Sequence, residues 1–484
     1  MHFKMLSRRR AKQPPSPTWP EFWPLTRKRL LIFLFAFALA AGVRLLTYNF
    51  MRAHLNDAAW FQHGSYRVFH KRASELIEGR SPVFWINDPS RTDMVQYPPA
   101  FPWWVATIYR LSYDRSAYAV QRVQAIFDLV LSLLLTTAIA LTAYGWRAAL
   151  ATTFLVALSP LLALYGVTPS ADPPTTWFVL GGVWLLVLAG KHNSLWYALG
   201  TGLMLGVACW WRVNPLLLAI WLAVALLIFA RTAWRQRLRM STAVVLGMTV
   251  VITPIVVRNY LVFPDFTPLG GTVGANLWEG LGETELGRQN GFLFGDDKMI
   301  ERERIKLGLS ADAPLEAMWP DGIRRERERT REALAFIKQH PVWYAGVMGK
   351  RMWGMLKVAG EPLPFYGTAG FNVTSQKTLT PAWQGGVLSL IVSLLGMVQS
   401  VTRYLLLPLA AFGVWLAWRR NWLATSLLLA AMLYYLVPGT AAHTEIRYVL
   451  PLHSLLPIFA GLSLSGVTEI FLNRRRPLGA ALNA

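Results

Sequence analysis

A single cysteine, Cys209, stands in 484 residues, inside an apolar run. One thiol forms no intrachain disulfide and no thiolate cluster, which excludes a disulfide-stapled domain and a multi-cysteine metal site. Charge is also scarce: Asp, Glu, Lys and Arg make up 15% of the chain, with 26 acids against 48 Lys and Arg. No HExxH run and no acid-rich cation cluster stands out, leaving Asp296-Asp297 as the remaining metal lead, so the residues imply no cofactor and leave dependence on a divalent metal open. The bulk of the chain is apolar, at 54% hydrophobic with a mean hydropathy of +0.35. Its net charge of +22 would suggest nucleic acid in a water-soluble protein. Here many Lys and Arg flank apolar runs and form no groove-reading motif, so they are read as topology signals and contacts to membrane lipids, and no nucleic-acid partner is expected.

A helix crosses a hydrocarbon core of about 30 Å with about 20 apolar residues. Runs of that kind occur at 30–49, 122–144, 148–167, 173–190, 195–211, 215–230, 240–257, 386–418, 421–438 and 448–471. They predict an all-α polytopic membrane protein of about ten transmembrane helices. The basic tail 1–29 has no small-residue cleavage site at a useful position and is expected to stay cytoplasmic. With the amino end inside, the inner turns hold Arg147, Lys191, the cluster Arg231, Arg235, Arg237 and Arg239, the pair Arg419 and Arg420, and Arg474 to Arg476. Every inner turn is then basic, which predicts a cytoplasmic-type membrane with both termini in the cytoplasm. The expected layout is a core 30–257 containing an outer loop 51–118, a large outer loop 258–385, closing helices 386–473 and a tail 474–484. Within the first loop, 100–111 carries Phe101, Trp103, Trp104 and Tyr109 over a length too short to cross, which suits a helix at the membrane interface. In the second, Ile323 to Gln339 alternates Arg and Glu, with Ile323, Ala333, Leu334 and Ile337 on one face, and reads as a solvated helix.

Ionisable residues beside apolar helices are costly unless paired or wetted, so they mark where function is sought. Six expected outer turns supply them: Asp57; Tyr97-Pro98-Pro99; Asp172-Pro173-Pro174; Arg212-Val213-Asn214-Pro215; Arg258-Asn259; and His443-Thr444-Glu445-Ile446-Arg447-Tyr448. Arginine suits a buried phosphate because its charged planar fork donates two parallel hydrogen bonds. A carboxylate such as Asp57 can take a proton from an attacking hydroxyl or amine. These parts fit a site receiving an anionic lipid-linked group from the membrane and a second substrate from outside. Each has a plainer reading: Asp57 as a loop acid, Asp172 as a helix N-cap before Pro, the arginines as snorkelling anchors and His443 as a satisfied polar residue.

In order along the chain, several short stretches resemble one family. They are Arg44 near the end of the first span; Asp57; Ala73, Leu76 and Gly79; Tyr97-Pro98-Pro99; Arg122 opening the next span; Ser159-Pro160 followed by Asp172; and Gly202 to Arg212. The series continues with Pro254 to Asn259, Gly274 to Trp278, Ala333 to Tyr344 with His340-Pro341, and Glu445 to Tyr448 with Pro451. The pattern resembles the C-type-fold membrane glycosyltransferases that use polyprenyl-phosphate sugars, among them protein O-mannosyltransferases and the lipid A aminoarabinose transferase. The resemblance implies an inverting transfer with Asp57 as general base, and basic residues on the lipid phosphate, here Arg212, Arg258 and Arg447. Tyr97, Arg122, Asp172, His443 and Glu445 complete the expected site. Many members have two adjacent acids where this chain has Asn56-Asp57. The expected donor is a polyprenyl-phosphate-linked sugar and the acceptor a glycan, lipid or protein. A transporter or flippase of a lipid-linked sugar is the alternative, and it would place polar residues along a path through the bilayer rather than at one end.

Overall fold

The computed structural model describes residues 26–55, 65–79, 90–356, 386–443 and 445–474. Asp57, Pro82, Pro89, Thr444 and the tail residues 1–25 and 475–484 lie outside the described residues. Helices dominate: an isolated bridge between Glu316 and Trp319 is the only strand-like pairing among the described residues.

The first described helix is α1 (Arg27–His54), eight residues longer than the expected first span, followed by α2 (Ser65–Ile77), a 3-10 turn (Thr92–Val95) and α3 (Ala100–Ser112). α2 and α3 pack on each other and on the end of α1 through Met51, Leu55, Phe69, Phe101, Val105 and Tyr109. The aromatic segment is therefore a helix, with Trp103 on its more exposed side. Next come α4 (Ala117–Tyr144), α5 (Trp146–Leu158), α6 (Pro160–Gly166), α7 (Asp172–His192), α8 (Leu195–Trp211), α9 (Leu218–Phe229) and α10 (Trp234–Val262). Ser159 caps α6, its hydroxyl accepting from the Leu162 amide at 3.3 Å, and Pro160 at the first helical position turns the chain by 65° from α5.

The second loop folds as α11 (Val273–Gly282), α12 (Glu285–Gln289), α13 (Asp296–Lys306), α14 (Gly322–Gln339) and α15 (Pro341–Met355) around Trp278, Phe292, Ala333 and Phe336. The bundle closes with α16 (Gly386–Arg420), α17 (Trp422–Leu436) and α18 (Leu450–Arg474).

Each expected apolar run falls on helix. Among the described residues, seven helices are long and apolar enough to cross a membrane, and the bent α5–α6 pair, taken as one span, makes an eighth. α8 and α9 are shorter, and the 12 residues of α9 extend only about 18 Å. The membrane-type core packs α8 against α7 and α10, and α18 against α5 and α16. Small residues permit this: a methyl on Gly202 of α8 would sit 2.0 Å from the Val244 carbonyl of α10, and one on Gly247 2.5 Å from the Leu199 carbonyl.

α14 departs from the expected solvated helix. Leu334 is exposed, whereas Arg325, Glu326 and Arg329 are buried with Ile323, Ala333 and Phe336. Glu303 of α13 binds both arginines, and Glu326 accepts from the Ala275 amide at 3.2 Å at the start of α11. The alternating charges hold the loop domain together because each buried charge meets an opposite one.

Candidate active site at the loop face

α7 begins, and α8 and α17 end, on the side of the bundle that carries α2, α3 and the helices α11 to α15. A cavity of about 320 Å³ lies there. Trp211 and Arg212 at the end of α8, Tyr434 and Tyr435 of α17, and Tyr448 at the entry to α18 form its bundle wall. Phe69 of α2, Tyr97 and Pro98 cover it from the first loop, and Thr272, Asn276 and His443 from the other side. The Asn276 carbonyl accepts from the His443 amide at 2.8 Å, which ties the turn before α18 to α11.

The acid of the Asp-Pro-Pro turn does not cap its helix. Ala171 holds the cap position, and Asp172, the first residue of α7, faces Arg212, Oδ1 to Nε 3.1 Å. Arg212 also lies 4.6 Å over the Tyr448 ring, so it is fixed between a carboxylate and an aromatic face, with its side chain 19% exposed. Arg447 pairs with Glu445 and lies 5.2 Å from the same ring, and its buried Nε meets no acceptor among the described residues. The two arginines therefore flank Tyr448.

A second line of charge runs toward the loop domain. His443 Nδ1 lies 2.6 Å from Glu283 Oε1, and Glu283 Oε2 lies 3.2 Å from Arg351 Nη2. Arg351 is fully buried and also donates to the carbonyls of Gly280 at 2.5 Å and Thr440 at 3.3 Å. Burial disfavours the His443 imidazolium, but the hydrogen bonds to Glu283 and Glu445 and the charge of Glu279 outweigh it and push its pKa up to about 10. Burial likewise disfavours ionised Glu445, yet Arg447 and His443 hold its carboxyl down at about 2. Glu279, one helical turn from Asn276, is pushed up to about 7 by burial, against the pull of His443.

Of the expected residues, Tyr97, Arg212 and His443 line the cavity, and Asp172, Glu445 and Arg447 support or adjoin it. Arg258 is buried 5.7 Å from the Phe263 ring and is not among the lining residues. Arg122 pairs with Asp114 at 2.9 Å on an exposed surface, away from the lining. Asp296 and Asp297 open α13. Among the described residues no group of three or more His, Cys, Asp or Glu is placed to hold a metal ion. Glu283 and Arg351 were missed by the sequence reading, although an arginine inside the apolar stretch 341–356 was a signal of buried pairing.

Residues 96–257, about a third of the chain, match the family described as dolichyl-phosphate-mannose-protein mannosyltransferase. No curated protein matches the sequence. Among solved structures, the oligosaccharyltransferase of Archaeoglobus fulgidus tethered to an acceptor peptide aligns with TM-score 0.52 and 14% identity, over 95% of this chain and 52% of that one. The apo form of the same enzyme gives 0.52 and 15% over the same shares. The archaeal oligosaccharyltransferase AglB of that organism, in complex with an inhibitory peptide and a dolichol-phosphate, gives 0.50 and 14%, over 96% and 53%.

The fold is that of the C-type membrane glycosyltransferases. The chain spans about half the length of the structures it matches. Within this C-type fold, the matched segment contains Tyr97, Asp172 and Arg212, which come together at the cavity, while His443, Glu445 and Arg447 approach from the closing helices. The arrangement suits binding of an anionic head: a guanidinium and an imidazolium line a small, tyrosine-walled space.

Proposed function

We propose that this protein transfers a sugar from a polyprenyl-phosphate carrier to an acceptor on the outer side of a cytoplasmic-type membrane. The observation that carries this reading is Arg212, held between Asp172 and the Tyr448 ring at the edge of the cavity, with the protonated His443 on the same lining. The structure bound to dolichol-phosphate supports the class of donor, since it shares this fold.

The reaction follows from those parts. The acceptor hydroxyl or amine attacks the anomeric carbon from the face opposite the phosphate. Its bond forms as the carbon–oxygen bond to phosphate breaks, the electron pair leaves on the phosphate oxygen, and the configuration inverts. Arg212 and Arg447, with His443, offset the charge left on the phosphate. The acceptor proton goes to Asp57, two residues beyond Leu55, which closes the aromatic cluster shared by α1, α2 and α3. The acceptor is a glycan, a lipid or a protein side chain.

The test is transfer of labelled sugar from a panel of polyprenyl-phosphate donors by protein in lipid, with Asp57→Asn beside it. Transfer by the parent and none by the variant is expected. Intact donor throughout, with labelled lipid changing leaflet in sealed vesicles, would replace this reading with a flippase. Against a polar path across the bundle, the mid-helix acid Asp128 is fully engaged: Arg44 Nη2 at 3.0 Å, Ser132 at 2.5 Å and the Trp177 indole at 3.0 Å all donate to it.

A further inference from the structure

We propose that the opposite end of the bundle carries a binding site for a phosphate-bearing anion, which in the membrane is the headgroup of an anionic phospholipid. Tyr434 and Tyr435 place the last turn of α17 at the active cavity, so its first residue, Trp422, lies about 18 Å away along the helix. A second, more open cavity of about 680 Å³ lies there. It is lined by Arg231 from the α9–α10 turn, Trp418, Arg419 and Arg420 from the end of α16, and Asn421 and Trp422 from the start of α17.

Three guanidinium groups from two separate turns converge on this space, and its lining contains no carboxylate. Aromatic faces hold two of them: Arg231 lies 4.4 Å over the Trp422 ring and Arg419 4.2 Å over the Trp415 ring. Stacking fixes the planar fork without neutralising its charge, so the donors remain directed and the like charges favour an anion between them. Asn421 caps α17, its side-chain oxygen accepting from the Ala424 amide at 3.2 Å, and the positive end of that helix faces the same region. Basic residues at span ends serve topology in any membrane protein, and such a role needs no shared cavity. Convergent guanidinium groups, held by stacking and left without a carboxylate on the lining, are what a phosphate site needs.

Full-length protein, stripped of lipid in detergent, is reconstituted into phosphatidylcholine nanodiscs containing a minority of phosphatidic acid, and the lipid retained on release is counted by native mass spectrometry. One phosphatidic acid per chain is expected for the parent, with affinity at least about tenfold weaker in the double variant Arg231→Gln, Arg419→Gln. Because charge removal can disturb insertion, Arg231→Lys with Arg419→Lys is run in parallel. It keeps the topology signal and loses the fork, and it is expected to bind several-fold less tightly than the parent. Competition with inorganic phosphate separates the sources: displacement means the site takes the free anion, and persistence means it takes the lipid headgroup. No retained lipid on the parent, equal retention by parent and variants, or unsaturable binding of many lipids would overturn the proposal.

Discussion

Arg212 sits where two demands meet, a carboxylate to orient it and a cavity for it to serve. A lysine there keeps the charge and loses both the planar fork and the stacking on Tyr448. Arg212→Lys is therefore expected to weaken donor turnover by about tenfold to a hundredfold, the equivalent of one charged hydrogen bond. Unchanged steady-state rates across donor concentrations would show that Arg212 only anchors its helix. His443 carries a different signature. Its pKa lies near 6.5 when unfolded and near 10 in the fold, so its stabilising contribution is complete below about 6.5 and is lost as pH rises through 10. The thermal midpoint of the parent is expected to fall between pH 7 and pH 10 more steeply than that of His443→Gln; parallel curves would refute the assignment. Arg351 is wholly buried against a wholly buried Glu283, so Arg351→Ala leaves that carboxylate with His443 as its remaining charged partner and takes the donor from the Gly280 and Thr440 carbonyls. A loss of about 3–5 kcal/mol in unfolding free energy is expected, read by denaturant titration in detergent. The sequence pointed to His443, Glu445 and Arg447 because they cluster in one short stretch. It did not point to Glu283 and Arg351, since a pair 68 residues apart leaves no local pattern.

Among elements, the apolar runs were the most legible feature, because a membrane-crossing helix must be written as a long uninterrupted stretch. Where length and polarity part company, the sequence was less informative. α14 reads as a surface helix from its composition, and only packing reveals that Arg325, Glu326 and Arg329 face inward onto α11 and α13. The Asp172 turn has the same character: Pro173 follows it as in any capped helix, and only the position of Arg212, brought back by α8, gives the acid another partner. The seam between α8 and α10 depends on missing side chains. Gly202→Val would push a branched side chain into the Val244 carbonyl, and the two helices would have to separate. Reduced yield of monodisperse protein and a lower thermal midpoint are expected, whereas Gly42→Val, which meets no atom within 4 Å, should leave both near the parent values.

Across the whole molecule, the sequence conveyed the class of fold and the clustering of chemistry at one end more fully than the geometry of the site. Asp172, Arg212 and His443 come from three distant stretches, and their meeting depends on how the helices between them pack. One helix bears on how the proposed carrier lipid would reach that meeting point. α9 is about 18 Å long against a hydrocarbon core of about 30 Å, and its outward residues Leu217, Ile220, Val224 and Ile228 are exposed. Leu216 and Leu217, at its near end, also border the active cavity. Lipid beside such a wall compresses to match it, and the resulting dimple draws the headgroup plane inward at the mouth of the cavity. A long isoprenoid chain bends more readily into a depression than a membrane-thick helix shifts out of its packing, so under the function proposed above the short wall would favour a flexible carrier by mechanics before any arginine touched its phosphate.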